Sequence, residues 1–232
     1  MKFTKSSVIT SVLAFVLVAA LAVGGTIAYF TSSDEVTNTF TMGDIAIGLT
    51  EDEWDDTTDG KEMLPGTTLY KNPTVAATEG DSYMRVKVEF IDTATGNPIT
   101  DSTRIAKIMD TVYYSATAYG TEGSCIEGSS YSAAQRDAIT GLVKGVNTTD
   151  FVKDNTYSTG SVYYYNYING GNNIFSEEDG DTAILFTHII IPTDWTREDL
   201  AVLGEYSIHI TAQAVQTTGF DNAAAAYAEL PA

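Results

Sequence analysis

Tyr83-Met84-Arg85-Val86-Lys87-Val88-Glu89-Phe90 alternates without a break. Met84, Val86, Val88 and Phe90 fall on one face and Arg85, Lys87 and Glu89 on the other, the period of a strand with one buried side. The same period returns in Tyr206-Ser207-Ile208-His209-Ile210-Thr211-Ala212-Gln213-Ala214. Thr182 to Ile191 reads as a more fully buried strand ended by Pro192, and Val162 to Ile168 as an aromatic strand followed by the Gly170-Gly171 turn. Adding Phe40 to Ile47 and Leu69 to Val75 brings the strands to six or more. Short strands separated by Gly, Asn and Asp turns predict an all-β fold, a two-sheet antiparallel jelly-roll-like sandwich, rather than a parallel α/β fold.

Helices are expected to be brief insertions. Ser132 with Gln135 has capping-box spacing ahead of Ala138, Ile139 and Leu142, and Thr196 with Asp199 has similar spacing ahead of Leu203 and Gly204. The alanine-rich stretch Asp221 to Glu229 is either a short helix or a frayed tail.

The first thirty residues address the chain. Lys2 and Lys5 precede an apolar run from Val8 to Gly25, and Thr26-Ile27-Ala28 supplies small residues for a signal peptidase. A signal peptide over 1–28 and one secreted domain over 29–232 are expected, with Thr26, Ala28 and Tyr29 framing the cut. A retained anchor is the alternative, because eighteen apolar residues just reach across a bilayer. Losing Lys2 and Lys5 with the leader would leave 10 of the 12 basic residues against all 31 acidic ones, a formal charge of about −21. Nucleic acid is excluded as a natural ligand, and self-association should respond to salt, acid or calcium. The lone Cys125 forms no intrachain disulfide.

Catalytic chemistry is sparse. His188 and His209 both lie in strand patterns, with no pair of histidines one helical turn apart around a glutamate, and no nucleophile-elbow motif surrounds any serine. His188 reads as a packed strand residue and His209 as an exposed one. Glu51 to Gly60 begins like a calcium loop from Asp55, but its twelfth position is Gly66 where a bidentate glutamate is needed. That stretch and Ser176 to Asp181 read as solvated acidic turns, and Leu64-Pro65-Gly66-Thr67 as a turn entering a strand. The tyrosines of Tyr163 to Tyr167 read as cross-strand packing rather than a sugar-stacking platform. No catalytic residue, metal ligand or cofactor is expected from these patterns.

Gly24-Gly25-Thr26-Ile27-Ala28-Tyr29-Phe30-Thr31, then Asn38 to Ile45, Leu64 to Thr67, Tyr83 to Val88 and Ile208 to Gln216, resemble in order and spacing the TasA/camelysin family of Gram-positive secreted proteins. That resemblance implies a jelly-roll sandwich, a leader cut by a SipW-type signal peptidase, and an extracellular or cell-surface location. For TasA-like members it implies biofilm matrix fibres in which an N-terminal strand of one subunit completes the sheet of the next. It leads to the expectation that Tyr29 to about Asn38 is the donor, with Tyr29, Phe30 and Thr31 at its head, and a disordered tail as the alternative. Camelysin-like members are classed as cell-surface metalloendopeptidases, and an adhesive or carbohydrate-binding sandwich is a third reading. Expected partners are further copies of the chain, the signal peptidase during export and related matrix proteins, with the membrane engaged only through an uncleaved signal.

Overall fold

A computed structural model describes residues 31–35, 46–50, 63–116, 141–169 and 173–230, the first five by backbone alone. The alternating stretch of the opening forms the middle of the longest strand, β5 (Asp81–Asp92). In chain order the strands before it are β1 (Thr31–Glu35), β2 (Ala46–Thr50), β3 (Thr68–Tyr70) and β4 (Thr74–Glu79). After it come β6 (Asn97–Pro98), helix α1 (Ser102–Met109), β7 (Val112–Tyr114), β8 (Val143–Lys144), β9 (Phe151–Asp154) and β10 (Val162–Tyr167). The chain continues through β11 (Phe175–Ser176), β12 (Thr182–Ile184), β13 (His188–Ile190), α2 (Arg197–Leu203), β14 (Tyr206–Gln216) and α3 (Ala223–Tyr227).

Every pairing among the described residues is antiparallel. The main sheet runs β1-β14-β5-β10-β9, with β6 and β11 on the ends of β5; two smaller sheets run β12-β4-β2 and β3-β13-β7-β8. The all-β antiparallel expectation stands; among the described residues the strands group into three hydrogen-bonded sheets. Met84, Val86, Val88 and Phe90 of β5 and Ile210, Ala212 and Ala214 of β14 point into one core, against Leu185, Phe186, Ile189 and Ile191.

Two strands expected to be continuous are broken, for reasons visible in their hydrogen bonds. Thr182 to Ile191 divides into β12, paired to β4, and β13, paired to β3 and β7, so one apolar run serves two sheets. Leu69 to Val75 divides at Pro73, which has no N–H for a ladder, and Thr187 O accepts from Lys71 N (3.0 Å) beside the break. Gly80, at φ +66°, turns the chain from β4 in one sheet to β5 in another. The turn at Leu64 closes as expected: Pro65 leads, Gly66 takes φ +85°, and Thr67 N donates to Leu64 O at 2.9 Å.

The short helices are fastened by side chains. At α2, Thr196 and Asp199 form the reciprocal box that their spacing predicts. Lys107 of α1 pairs with Asp199 at 2.6 Å while lying 4.4 Å from the Trp195 ring centre. That bond, with the Thr196 donors, lowers the Asp199 pKa to about 2. Arg104 pairs with Asp92 and donates to the Leu203 and Glu205 carbonyls, closing the far end of α2. Gly204 takes φ +60° there, and a side chain would meet the Arg104 guanidinium at 3.0 Å. The helix from Asn222 forms, with Ala225 N donating to Asn222 Oδ1. The helix expected after Ser132 lies outside the described residues.

His188 sits in β13, fully buried, with Nδ1 2.8 Å from Thr187 Oγ1 and its ring edge-on to Tyr70. Burial lowers its pKa to about 4, so the fold holds it neutral. An unfolded histidine takes up its proton near pH 6.5. Stability from this group is therefore whole above pH 6.5 and falls by about 3 kcal/mol as pH drops toward 4. Urea unfolding of wild type and His188→Asn at pH 7.5 and 4.5 should show the wild type losing about that much more between the two pH values. In the same core Phe175 is fully buried and packs edge-on to Tyr167, with ring centres 4.9 Å apart. Phe175→Ala should lower unfolding stability by about 3–5 kcal/mol in the same assay.

Candidate strand-docking edge

β14 meets β5 through eleven pairs, from Tyr206↔Asp92 to Gln216↔Ser82, which leaves one side of β14 to be covered. An uncovered side presents a row of free main-chain donors and acceptors, a template for any extended segment. Here β1 of the same chain covers it, in the register Thr31↔Val215, Ser32↔Ala214, Ser33↔Gln213, Asp34↔Ala212 and Glu35↔Thr211. β2 lies against both β1 and β14.

Thr-Ser-Ser-Asp-Glu carries no large apolar residue and has low strand preference. Its backbone hydrogen bonds to β14 are therefore what defines the seam, as in recognition by strand addition. Of the residues expected to head the donor, Thr31 opens β1; Tyr29 and Phe30 lie outside the described residues, as do Thr26 and Ala28 at the expected cut. The edge that accepts the segment is not legible in the sequence. It follows from β14 being the last long strand and pairing β5 on one side alone.

On the outer face of the sheet, opposite the main core, β14 contributes His209, Thr211, Gln213 and Val215. Lys87 and Glu89 of β5 pair there at 3.3 Å, with their side chains 19% and 26% exposed. His209 is exposed and stands opposite Glu89 in the ladder, as its polar-face position predicts. Arg85 departs from expectation. It shares the polar face of its strand, yet it is fully buried. The segment after β14 folds over it, and its guanidinium carbon lies 4.5 Å from the Tyr164 ring centre and 5.1 Å from that of Tyr157. Arg85 Nε donates to Gln213 Oε1 at 2.7 Å. Burial lowers the Arg85 pKa, with Tyr164, Tyr157, Asp154 and Tyr227 acting the other way.

The tyrosines of β10 divide as cross-strand packing requires: Tyr163, Tyr165 and Tyr167 join the core side, and Tyr164 the Arg85 side. In the acidic turn after β11, Glu177 to Gly180 are exposed, and Ser176 closes it by bonding Asp81 and Asp181. His188 and His209 sit in different sheets, one buried and one exposed. Among the described residues no three His, Cys, Asp or Glu side chains are grouped to hold a metal ion, so these residues do not fit a zinc centre. Cys125 and the Glu51 to Gly60 stretch lie outside the described residues. Among the described residues no helix is long and apolar enough to cross a membrane.

A family model described as camelysin metallo-endopeptidase matches residues 3–95, through β5 and short of β14. No curated protein and no solved structure matches the chain. The matched stretch holds the Gly24 to Thr31, Asn38 to Ile45, Leu64 to Thr67 and Tyr83 to Val88 segments that carry the resemblance. Over that stretch the chain is similar to the camelysin family.

Proposed function

We propose that this is a secreted structural protein of the extracellular biofilm matrix, whose copies join into fibres when the N-terminal segment of one occupies the β14 edge of the next. The observation that carries this reading is β1 itself: a polar strand three residues beyond the expected cut at Ala28, seated on an edge by main-chain pairing. Cleavage by a SipW-type peptidase frees Tyr29 and Phe30 ahead of it, and one secreted domain, 29–232, follows. A second copy offers the same backbone partners in the same register, so exchange keeps the ladder and costs mainly association entropy. A mature charge of about −21 opposes association at low salt. Screening over a Debye length of about 10 Å at 0.1 M salt favours it. Related matrix proteins that offer a similar edge would be admitted on the same terms.

A camelysin-like peptidase is the second reading, favoured by the description of the matching family model. It needs a ligand set that the described residues do not assemble, and zinc bound at one equivalent by the purified protein, lost together with peptidase activity on chelation, would establish it. A sugar-stacking surface has less support. The exposed large apolar side chains among the described residues are Leu64, Val143, Val152 and Val202, none of them aromatic.

Protein beginning at Tyr29 should form filaments in negative-stain microscopy and light scattering as salt rises. Deleting Tyr29 to Thr37 should abolish them while cooperative unfolding persists. Glu35→Cys with Thr211→Cys, in a Cys125→Ser background, joins facing residues of β1 and β14 within one chain. The oxidised form should stay monomeric and the reduced form should assemble; filaments in the oxidised form would exclude strand exchange at β14.

A further inference from the structure

After β14 the chain turns at Thr217 to Gly219, with Gly219 at φ +96°, and folds back over the outer face of the main sheet. Asn222 caps the five-residue α3, which ends at Tyr227. The backbone bonds of Phe220 to Leu230 are local, as in Phe220 N to Thr217 O, Ala226 N to Asn222 O and Leu230 N to Tyr227 O. This segment joins no sheet. Side chains hold it in place. The Tyr227 hydroxyl donates to Met84 O at 2.9 Å, and Arg85 Nη1 donates to Tyr227 O at 3.4 Å. The Tyr227 ring centre lies 5.9 Å from the Arg85 guanidinium carbon.

Around that tyrosine lies a small apolar cluster separate from the main core. Val215, Tyr83 and Tyr157 form its wall; Phe220, Ala226 and Leu230 arrive with the segment. Part of the cage comes from outside the segment: Arg85 is oriented by Gln213 and stacked on Tyr157 and Tyr164. A five-residue helix is too short to persist in water by itself, so this one forms as it docks. The segment is acidic, carrying Asp221 and Glu229, both exposed.

We propose that the cage around Arg85 is a docking socket for a tyrosine carried on a short acidic segment, filled in one molecule by its own Tyr227 and open to the same segment of a second copy. The contacts are identical in cis and in trans, and the turn at Thr217 to Gly219 is the hinge across which segments would trade places. In cis the effective concentration is high, so trading requires neighbours already held close or a vacated socket. This contact is independent of the β14 edge and would link copies even where β1 stays at home.

The test uses the full mature chain carrying Tyr227→Ala and an acetylated peptide with the sequence of Phe220 to Leu230, labelled for fluorescence anisotropy. Saturable one-to-one binding is expected, at least tenfold weaker to the wild-type chain, whose own segment competes, and absent for a peptide carrying the same alanine. No binding by a Tyr227→Ala chain that keeps its circular dichroism and cooperative unfolding would overturn the proposal. Should that variant fail to fold, hydrogen exchange of the wild type decides. Amides of 220–230 are expected to exchange at least tenfold faster than those of 206–216, and equal rates would overturn the proposal, because the segment would then leave only on global unfolding. Both readouts are indifferent to whether fibres form, so they fail or succeed separately from strand exchange.

Discussion

The ladder between β5 and β14 is the constraint on which the rest depends. Eleven consecutive antiparallel pairs hold two strands that are distant in sequence; β1, β6, β10 and β11 attach to one or the other, and β9 follows on β10. Because side chains alternate along both strands, this single register decides what is inside: Met84, Val86, Val88 and Phe90 with Ile210, Ala212 and Ala214. A slip of one residue would turn Arg85, Lys87 and Glu89 into the core and carry the apolar set to water. Loop closure over so long a stretch of chain is costly, so a ladder of this kind forms cooperatively with the core it fills.

Its two free sides and its outer face then have different fates. β10 takes the second side of β5 and β9 follows it, while the outer side of β14 is left to a polar N-terminal strand. The outer face is divided: Lys87, Glu89 and His209 meet water, whereas Arg85 is roofed by the segment after β14. A buried guanidinium is tolerable because Gln213 and the Tyr227 carbonyl accept its hydrogens and Tyr157 and Tyr164 offer ring faces. Removing one of these partners without the cation would leave a desolvated charge, the expensive half of such an arrangement.

What period and spacing encode was legible in the chain: β5, β10 and β14, the box at Thr196 and Asp199, the Pro65-Gly66 turn, the burial of His188 and the exposure of His209. What depends on partners was not. Nothing local in Thr182 to Ile191 says that three residues pair with β4 and three with β3 and β7, since β-branched and apolar residues serve either sheet equally well. Arg85 looked solvent-facing because its roof comes from residues more than a hundred positions later. α1 left a readable signal that is easily passed over: Asp101 accepts from Arg104 N, and Ile105 and Ile108 are its buried pair. Which edge receives β1 is a property of the assembled sheet, absent from any stretch of its sequence.

Antiparallel pairing also fixes where the chain's two described ends come to lie. Thr31 begins β1 opposite Val215, close to where β14 gives way to the turn at Thr217, so entry and exit share one corner of the sheet. A dye, tag or tether placed at either end therefore perturbs, and reports on, the same few square nanometres. Labels at both ends would begin close together in a molecule whose β1 is seated on its own β14, and their separation is a ruler for that seat and for the docking of the segment after β14.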